Sequence, residues 1–506
     1  MDRFLYTSNK SQSLCNLWMA YPACKSFALA SLGYIWLYKI ADELEGINPF
    51  LINTDTEATS SKADAIAFSM SFDFDFMGVF EILEKNNIPF LQTNRDNSSP
   101  IIFAGGPVIT TNPEPYKHIF DFMVIGDGET VFIKVLEILK QSFSKDKTLK
   151  ELSKIEGVYV PKFNSNVKKI SESFEQVIYT PIISDESYFK DTFIIEVSRG
   201  CMNRCAFCIA SYLNLPFRYN SYSKIIDALE LGLRYTNKIA LLGAQISAHP
   251  DFDKIMKYIE AKIDSGIEIE LGISSLRTDS ISPELIQTLV KGGQRSSTIA
   301  IEAASDRLRN FINKNLKEEQ ILNAIKIARE NNLKSLKIYS MIGIPTETQD
   351  DIEEFLNLAK KIKQDNKGFE ITFSFSTFVP KPQTPLQWAK REDTKTLEKK
   401  QKYLEKELAK LGISSKFSSP KWDYWQTLLS RGDENLANFL IEVYKLGGKN
   451  GAYKTAFKKY QNLINSKSIN GFDLNDILPW DFIENNPRKE LLIKEYNRLQ
   501  KYSSST

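Results

Sequence analysis

Short apolar runs alternate with amphipathic helical runs along the first third of the chain. Four continuous apolar runs bounded by turn residues are typical of buried strands: FLINTD, AIAFSM, PIIFAGG and FDFMVIG. Three longer runs have the apolar spacing of helices: SFALASLGYIWLYKIADEL, DFMGVFEILEKNN and ETVFIKVLEILKQSF. Continuous apolar strands indicate a parallel sheet covered on both faces. The pattern therefore predicts an α/β fold that begins with a doubly wound domain over residues 1–165.

A longer strand–helix rhythm follows a polar connecting segment, residues 166–190. Six strand-then-loop units are predicted within residues 191–390: the run from Phe193 to Val197, then KIALLGAQIS, IELGISSLR, STIAIEAAS, LKIYSMIGIP and EITFSFSTFVP. Such units predict a partial (β/α)6 barrel of the TIM type, in which functional residues collect at the C-terminal strand ends. Residues 391–506 are lysine-rich with helical periodicity and are predicted to form a helical C-terminal appendix.

Composition excludes few function classes. The 506 residues are 42% hydrophobic and 25% charged, an ordinary globular balance. A net charge of +2 predicts no strong overall attraction to anionic polymers or membranes, so nucleic acid is not indicated as a partner, although a local basic face is compatible with this value. No signal peptide, membrane span or lipidation motif is recognisable, so we expect a cytoplasmic protein with no membrane partner.

Three cysteines carry the candidate chemistry. Cys201, Cys205 and Cys208 have the spacing C-x₃-C-x₂-C directly after a predicted strand. Three thiolates can hold three corners of a [4Fe–4S] cluster and leave one iron open, whereas electron-transfer clusters normally take four ligands. An open metal position is typical of a catalytic site. A zinc site is the alternative, but the only histidines, His118 and His249, are distant in sequence.

The cysteine spacing resembles that of the radical S-adenosyl-L-methionine (SAM) superfamily. The resemblance implies that Cys201, Cys205 and Cys208 ligate a [4Fe–4S] cluster whose fourth iron binds SAM. It also implies reductive cleavage of SAM to a 5′-deoxyadenosyl radical, with an electron from a donor of the flavodoxin or ferredoxin type. The five cysteines of the chain are too few and too scattered to indicate a disulfide framework.

The resemblance places candidate SAM contacts after successive barrel strands. They are Phe207, Gly243, Ala244, Gln245, Ser275, Arg277, Glu302, Ile342, Gly343 and Ile344. Small residues allow the backbone to approach the cofactor, although Gln245 stands where the superfamily usually has an acidic residue. Hydroxyl and guanidinium groups suit a ribose and a carboxylate, and apolar residues suit a purine. For Glu302 the alternative is a structural ion pair with Arg277 or Arg295.

The N-terminal domain resembles the cobalamin-binding-type domain that precedes the barrel in many members of this superfamily. The resemblance is carried by AGGPVITTNPEP and DFMVIGDGE, which look like the last two strand–loop units of that domain. The Asp-x-His-x-x-Gly loop that commonly supplies a cobalt ligand is missing, and His118 is isolated. This absence weakens the case for cobalamin without excluding it. Any cobalamin bound is expected to lack histidine ligation.

The resemblance covers roughly residues 15–460 and implies a radical SAM enzyme acting on an unidentified substrate. A cobalamin-dependent or RNA-modifying methyltransferase or methylthiotransferase is an alternative within this class. The alternative of another class is a non-catalytic iron–sulfur protein for electron transfer or binding. A second cluster is not expected, because only Cys15 and Cys24 remain.

Overall fold

The computed structural model describes residues 2–8, 13–58, 62–141, 143–273, 276–485 and 487–503. The N-terminal part contains the strands β1 (Arg3–Phe4), β2 (Cys15–Tyr21), β3 (Ile47–Asn53), β4 (Ala65–Ser69), β5 (Ile101–Gly105), β6 (Phe122–Val124) and β7 (Val158–Tyr159). Its helices are α1 (Lys25–Ala30), α2 (Leu32–Glu43), α3 (Phe76–Lys85), α4 (Pro107–Thr111), α5 (Glu129–Leu139) and α6 (Lys145–Leu152). Strands β2 to β7 form one sheet in the order β3–β2–β4–β5–β6–β7, in which only β7 is antiparallel to its neighbour.

Helices cover both faces of this sheet. Successive residues of β4 alternate between two apolar cores, since Ala65 and Ala67 belong to one and Ile66 and Phe68 to the other. The predicted doubly wound arrangement is therefore confirmed. The pattern missed β2, which lies inside the sheet, because its sequence CNLWMAY has no β-branched residue. The long helix predicted after it is interrupted at Ser31.

A connecting region leads to the barrel and contains β8 (Val167–Lys168) and β9 (Ile182–Ile183), of which β9 pairs with β1. The barrel strands and the short strands beside them are β10 (Phe193–Glu196), β11 (Ser198–Arg199), β12 (Arg218–Tyr219), β13 (Lys238–Leu242), β14 (Glu270–Ile273), β15 (Ser296–Glu302), β16 (Ser335–Ile342) and β17 (Glu370–Thr377). The helices between them are α7 (Ile209–Leu213), α8 (Tyr222–Leu233), α9 (Phe252–Asp264), α10 (Pro283–Lys291), α11 (Asp306–Phe311), α12 (Glu318–Glu330) and α13 (Gln349–Asp365).

The six predicted barrel strands are present and parallel. Two sheets, β10–β13–β14 and β15–β16–β17, are joined by a parallel bridge between Leu276 and Ile299. A seventh parallel strand, β18 (Ser414–Phe417), extends the second sheet beside β17. It comes from the region predicted to be helical, so that region also contributes to the barrel.

The rest of the C-terminal region is mainly helical. It contains α14 (Thr394–Lys410), α15 (Pro420–Arg431), α16 (Leu436–Lys445), α17 (Asn450–Tyr460), α18 (Lys467–Asn470), the strand β19 (Ile483–Glu484) and α19 (Lys489–Ser503). Helix α16 packs against α3, and β19 pairs with β8, so this region holds the N-terminal domain beside the barrel. Among the described helices, none combines the length and apolar character needed to cross a bilayer.

Candidate functional site

The three cysteines lie on one loop, residues 200–217, which we call the cysteine loop. The antiparallel strands β11 and β12 close its base, pairing Arg199 with Arg218. Gly200, with a φ of +86°, starts the loop where a Cβ would stand 2.4 Å from the carbonyl oxygen of Asn214. Only glycine suits this backbone and this contact. The cysteine loop is thus held closed directly after β10, the first barrel strand.

Burial sets the chemistry of the thiols. Cys205 is buried, which raises its pKa to about 12, and burial also raises the pKa of Cys208. Within the described part of the chain, no three His, Cys, Asp or Glu side chains converge as ligands of a single metal ion. Three thiolates on one loop are the donor set that a [4Fe–4S] cluster with one open iron requires.

The turn after β13 lies against the cysteine loop. A Cβ on Gly243 would lie 2.5 Å from the Ser198 Oγ, so the turn passes very close to β11. Gln245, two residues further on, accepts a hydrogen bond from the Cys201 Sγ at 3.2 Å. The Asn203 amide lies 3.5 Å from the same sulfur. Ala244, between these two turn residues, is exposed. The structure thus brings Gln245 to the first cysteine.

Glu302 ends β15 in a strained turn. Its φ is +66°, and the Ala303 N–H donates to the Ile301 carbonyl at 2.9 Å, which is the pattern of a γ-turn. A left-handed non-glycine residue costs about 1–3 kcal/mol and is common at functional sites. Its carboxylate pairs with the Lys314 Nζ at 3.1 Å, and the two side chains are only 15% and 10% exposed.

Lys314 is the residue that sequence reasoning missed. Although burial opposes its charge, the Glu302 carboxylate raises the pKa of Lys314. The expected alternative partner of Glu302, Arg277, instead pairs with Asp279 at 2.6 Å and donates to the Lys314 carbonyl at 3.2 Å. The run Asn313-Lys314-Asn315 could have indicated a turn at Lys314, because asparagine tolerates left-handed backbone. Both asparagines do have a positive φ in the structure.

The loop that carries Lys314 also supports the cysteine loop. The Ala206 N–H donates to the Ile312 carbonyl at 2.9 Å, and the Asn313 amide donates to the Arg204 carbonyl at 3.0 Å. The segment after β17 contributes a third contact, in which the Leu386 N–H donates to the Ala206 carbonyl at 3.3 Å. Two other parts of the chain therefore fix the backbone between the cysteines through three hydrogen bonds.

The turn after β16 supplies the apolar candidates. Gly343 has a φ of +76°, and its N–H donates to the buried Glu347 carboxylate at 2.9 Å. Ile344 and Phe207 belong to one apolar cluster beside the cysteine loop, whereas Ile342 lies in the barrel core. Phe207 and Ile344 are thus brought together, and Ile342 is not part of their cluster. Ser275, also predicted as a contact, lies outside the described residues.

The N-terminal domain forms salt bridges with the base of the cysteine loop. Arg199 pairs with Asp127 at 3.0 Å and Glu129 at 2.7 Å, and Arg218 pairs with Asp127 at 2.5 Å. Burial opposes the charge of Asp127, but the two guanidinium groups hold its pKa below the usual value. The two acidic residues follow β6, so the C-terminal edge of the N-terminal sheet faces the cysteine loop.

A cavity of about 340 Å³ lies at this junction. Gly105, Gly106, Gly126 and Gly128 line it from the strand ends, and Arg199 lines it from the cysteine-loop base. No histidine is among its lining residues. His118 lies elsewhere, 44% exposed and 3.7 Å from Glu434, as expected of a surface histidine.

Comparisons with known proteins agree with this arrangement. A family model described as radical SAM proteins, N-terminal, matches residues 33–161, and the radical SAM superfamily model matches residues 195–359. An uncharacterised protein of Methanocaldococcus jannaschii is 32% identical over 384 residues, which are 74% of this chain and 80% of that protein.

One further relative and one solved structure differ in how much of this chain they match. The ribosomal protein uS12 methylthiotransferase RimO of Clostridioides difficile is 29% identical over 234 residues, 44% of this chain and half of that enzyme. The cobalamin-dependent SAM radical enzyme OxsB, solved with aqua-cobalamin bound, is 13% identical with a TM-score of 0.53. That match covers 97% of this chain and 80% of OxsB, and it supports the same overall fold.

Proposed function

The chain belongs to the radical SAM superfamily of enzymes, and we propose that Cys201, Cys205 and Cys208 hold a [4Fe–4S] cluster that binds SAM. The observation that supports this most is one loop with three cysteines at the C-terminal end of β10, next to the buried pair of Glu302 and Lys314. When bound, the reduced cluster supplies the electron that cleaves SAM to methionine and a 5′-deoxyadenosyl radical. A flavodoxin-type or ferredoxin-type protein is the proposed source of that electron.

The chain's own residues would bind and orient SAM. We propose that Lys314 and Arg277 attract its carboxylate, because both are cations beside Glu302 and the cysteine loop. Phe207 and Ile344 would pack against the purine, since they already share an apolar cluster. The same cluster would keep water from the reacting carbon, which a radical enzyme needs.

Anaerobic reconstitution with iron, sulfide and SAM tests this proposal. Replacing Cys201, Cys205 and Cys208 by Ala should remove the bound iron and the visible absorbance, whereas replacing Cys15 and Cys24 should leave both intact. Formation of 5′-deoxyadenosine under reducing conditions separates an enzyme from a non-catalytic iron–sulfur protein. Full iron content in the triple variant would refute the ligand assignment.

A cobalamin-dependent methyltransferase is the second candidate. It is favoured by the cavity between the glycine-lined strand ends and Arg199, which adjoins the base of the cysteine loop. We propose that a corrinoid in this cavity would lack histidine ligation, because the lining contains no histidine. Cells grown with cobalamin would yield protein whose corrinoid spectrum is unchanged in His118→Ala. Loss of a stoichiometric corrinoid in that variant would contradict this assignment.

A further inference from the structure

A run of basic residues, which we call the basic surface, extends from the end of α16 through α17 to the start of α18. Between Val443 and Phe472 the chain has no Asp, Glu, Arg or His and has six lysines: Lys445, Lys449, Lys454, Lys458, Lys459 and Lys467. Lys459 and Lys467 pair with carboxylates outside this stretch, whereas the other four are exposed and have no ion pair within the described residues. The small net charge of the whole chain therefore averages over a local excess of positive charge.

Exposed aromatic rings continue this basic surface toward the domain junction. Phe72, in the loop after β4, is 50% exposed, and Trp422, in α15, is 37% exposed. Both rings contact Phe74, at centroid distances of 5.3 and 5.4 Å, and Trp422 also contacts Tyr453 of α17 at 5.4 Å. Through Tyr453, Trp422 therefore packs against α17, the helix that carries Lys454, Lys458 and Lys459.

A small cavity of about 160 Å³ opens beside Phe72. One wall includes Ile209, the residue directly after Cys208. The lining also includes Asp73, whose Oδ2 accepts hydrogen bonds from Lys381 at 2.6 Å and Gln426 at 2.8 Å. No donor to its Oδ1 is found within the described residues. A cavity lined by apolar side chains, a carboxylate with a free acceptor and an ammonium suits a planar heterocycle with polar edge groups.

We infer that the basic surface binds single-stranded nucleic acid and that the cavity receives one of its bases, which would be the substrate of the proposed radical SAM site. Lysines neutralise phosphates without reading sequence, and exposed rings stack on bases of any identity. An enzyme that modifies a base must bring it out of the stack into a pocket. The lining residue Ile209 directly follows Cys208 in the chain, so a base held in the cavity would lie close to the proposed cluster. This inference rests on the proposed function for its chemistry but not for its binding test.

The test measures binding of a fluorescein-labelled oligoribonucleotide of mixed sequence to the full chain without cluster or SAM. Lys454→Glu with Lys458→Glu should weaken binding at least tenfold and reduce the slope of log affinity against log salt by about 1.4 or more. Lys402→Glu with Lys406→Glu is the matched control, since these lysines are also exposed and four residues apart on α14. The control pair should leave the affinity and the slope unchanged.

A second pair of variants tests the aromatic part of the surface. Phe72→Ala should weaken binding at least fivefold through lost stacking and leave the salt slope unchanged, whereas Phe189→Ala, also 50% exposed but distant in sequence, should change neither. Equal weakening by the two lysine pairs would overturn the inference, and so would tighter binding of polyglutamate, which would indicate an acidic protein partner. A single-stranded DNA of the same sequence distinguishes recognition of RNA from recognition of either polymer. Because binding needs no cofactor, a failure here is separable from a failure of cluster assembly.

Discussion

The ion pair between Glu302 and Lys314 offers the sharpest test of the site. Lys314→Met removes the ammonium but keeps the length of the side chain, which leaves the carboxylate without its partner. Removing one member of a fully buried pair costs about 3–5 kcal/mol, and because these side chains are 15% and 10% exposed we expect about 2–4 kcal/mol. Glu302→Gln should cost less, since an amide can still accept a hydrogen bond from Lys314.

Stability and SAM binding should respond differently to the double variant. A chain of several packed parts need not unfold in one step, so stability is best compared as the midpoint of thermal unfolding. Glu302→Gln with Lys314→Met should melt above Lys314→Met alone, because no unpaired buried charge remains. Each single variant should bind SAM about ten- to a hundredfold more weakly, as expected for a lost charged hydrogen bond of about 1.5–3 kcal/mol. The double variant should not recover that affinity.

Two results would refute this reasoning. Recovery of SAM affinity in the double variant would mean that the pair is structural and does not contact SAM. Additive effects of the two substitutions on the melting midpoint would mean that the side chains do not interact, since contacting residues couple by about 0.5–3 kcal/mol. Arg277→Ala is the companion variant, because Arg277 pairs with Asp279 rather than Glu302 and should weaken SAM binding independently.

Three further outcomes follow from single positions. Gly343→Ala should weaken SAM binding, because its Cβ would lie 2.6 Å from the Leu397 side chain and would displace the turn that carries Ile344. Gly293→Ala is the control: it has a similar φ of +79° but open space around it, so it should cost only about 1–2 kcal/mol of stability. Asn203→Leu should make the reduction potential of the reconstituted cluster more negative in an EPR titration, because the Asn203 amide N–H donates to the Cys201 sulfur and such hydrogen bonds favour the reduced state, and an unchanged potential would contradict this contact. Burial raises the pKa of Asp75 to about 6, above its unfolded value, so its stabilising contribution is complete below pH 4 and is lost as the pH rises through 6. Asp75→Asn should therefore make the melting midpoint less dependent on pH between pH 4 and 8. At pH 8 the variant should melt at a higher temperature, which corresponds to about 1–3 kcal/mol of added stability.

Local patterns in the sequence determined the order of the elements. Buried parallel strands need continuous apolar runs, so most strands of the sheet and all six predicted barrel strands could be found without coordinates. The cysteine spacing identified the candidate metal ligands because all three stand on one short loop. In such a loop the neighbours in space are also neighbours in sequence. Strand β2 was missed because its burial comes from a central place in the sheet rather than from β-branched residues.

Only the tertiary structure decided which side chains meet across the barrel. The partner of Glu302 is Lys314, 12 residues away on the next loop, and no local pattern distinguishes it from Arg277 or Arg295. The salt bridges of Arg199 with Asp127 and Glu129 join the two domains through residues about 70 positions apart in the chain. Such contacts depend on how strand ends converge, and this depends on the closure of the whole sheet rather than on the residues beside each site.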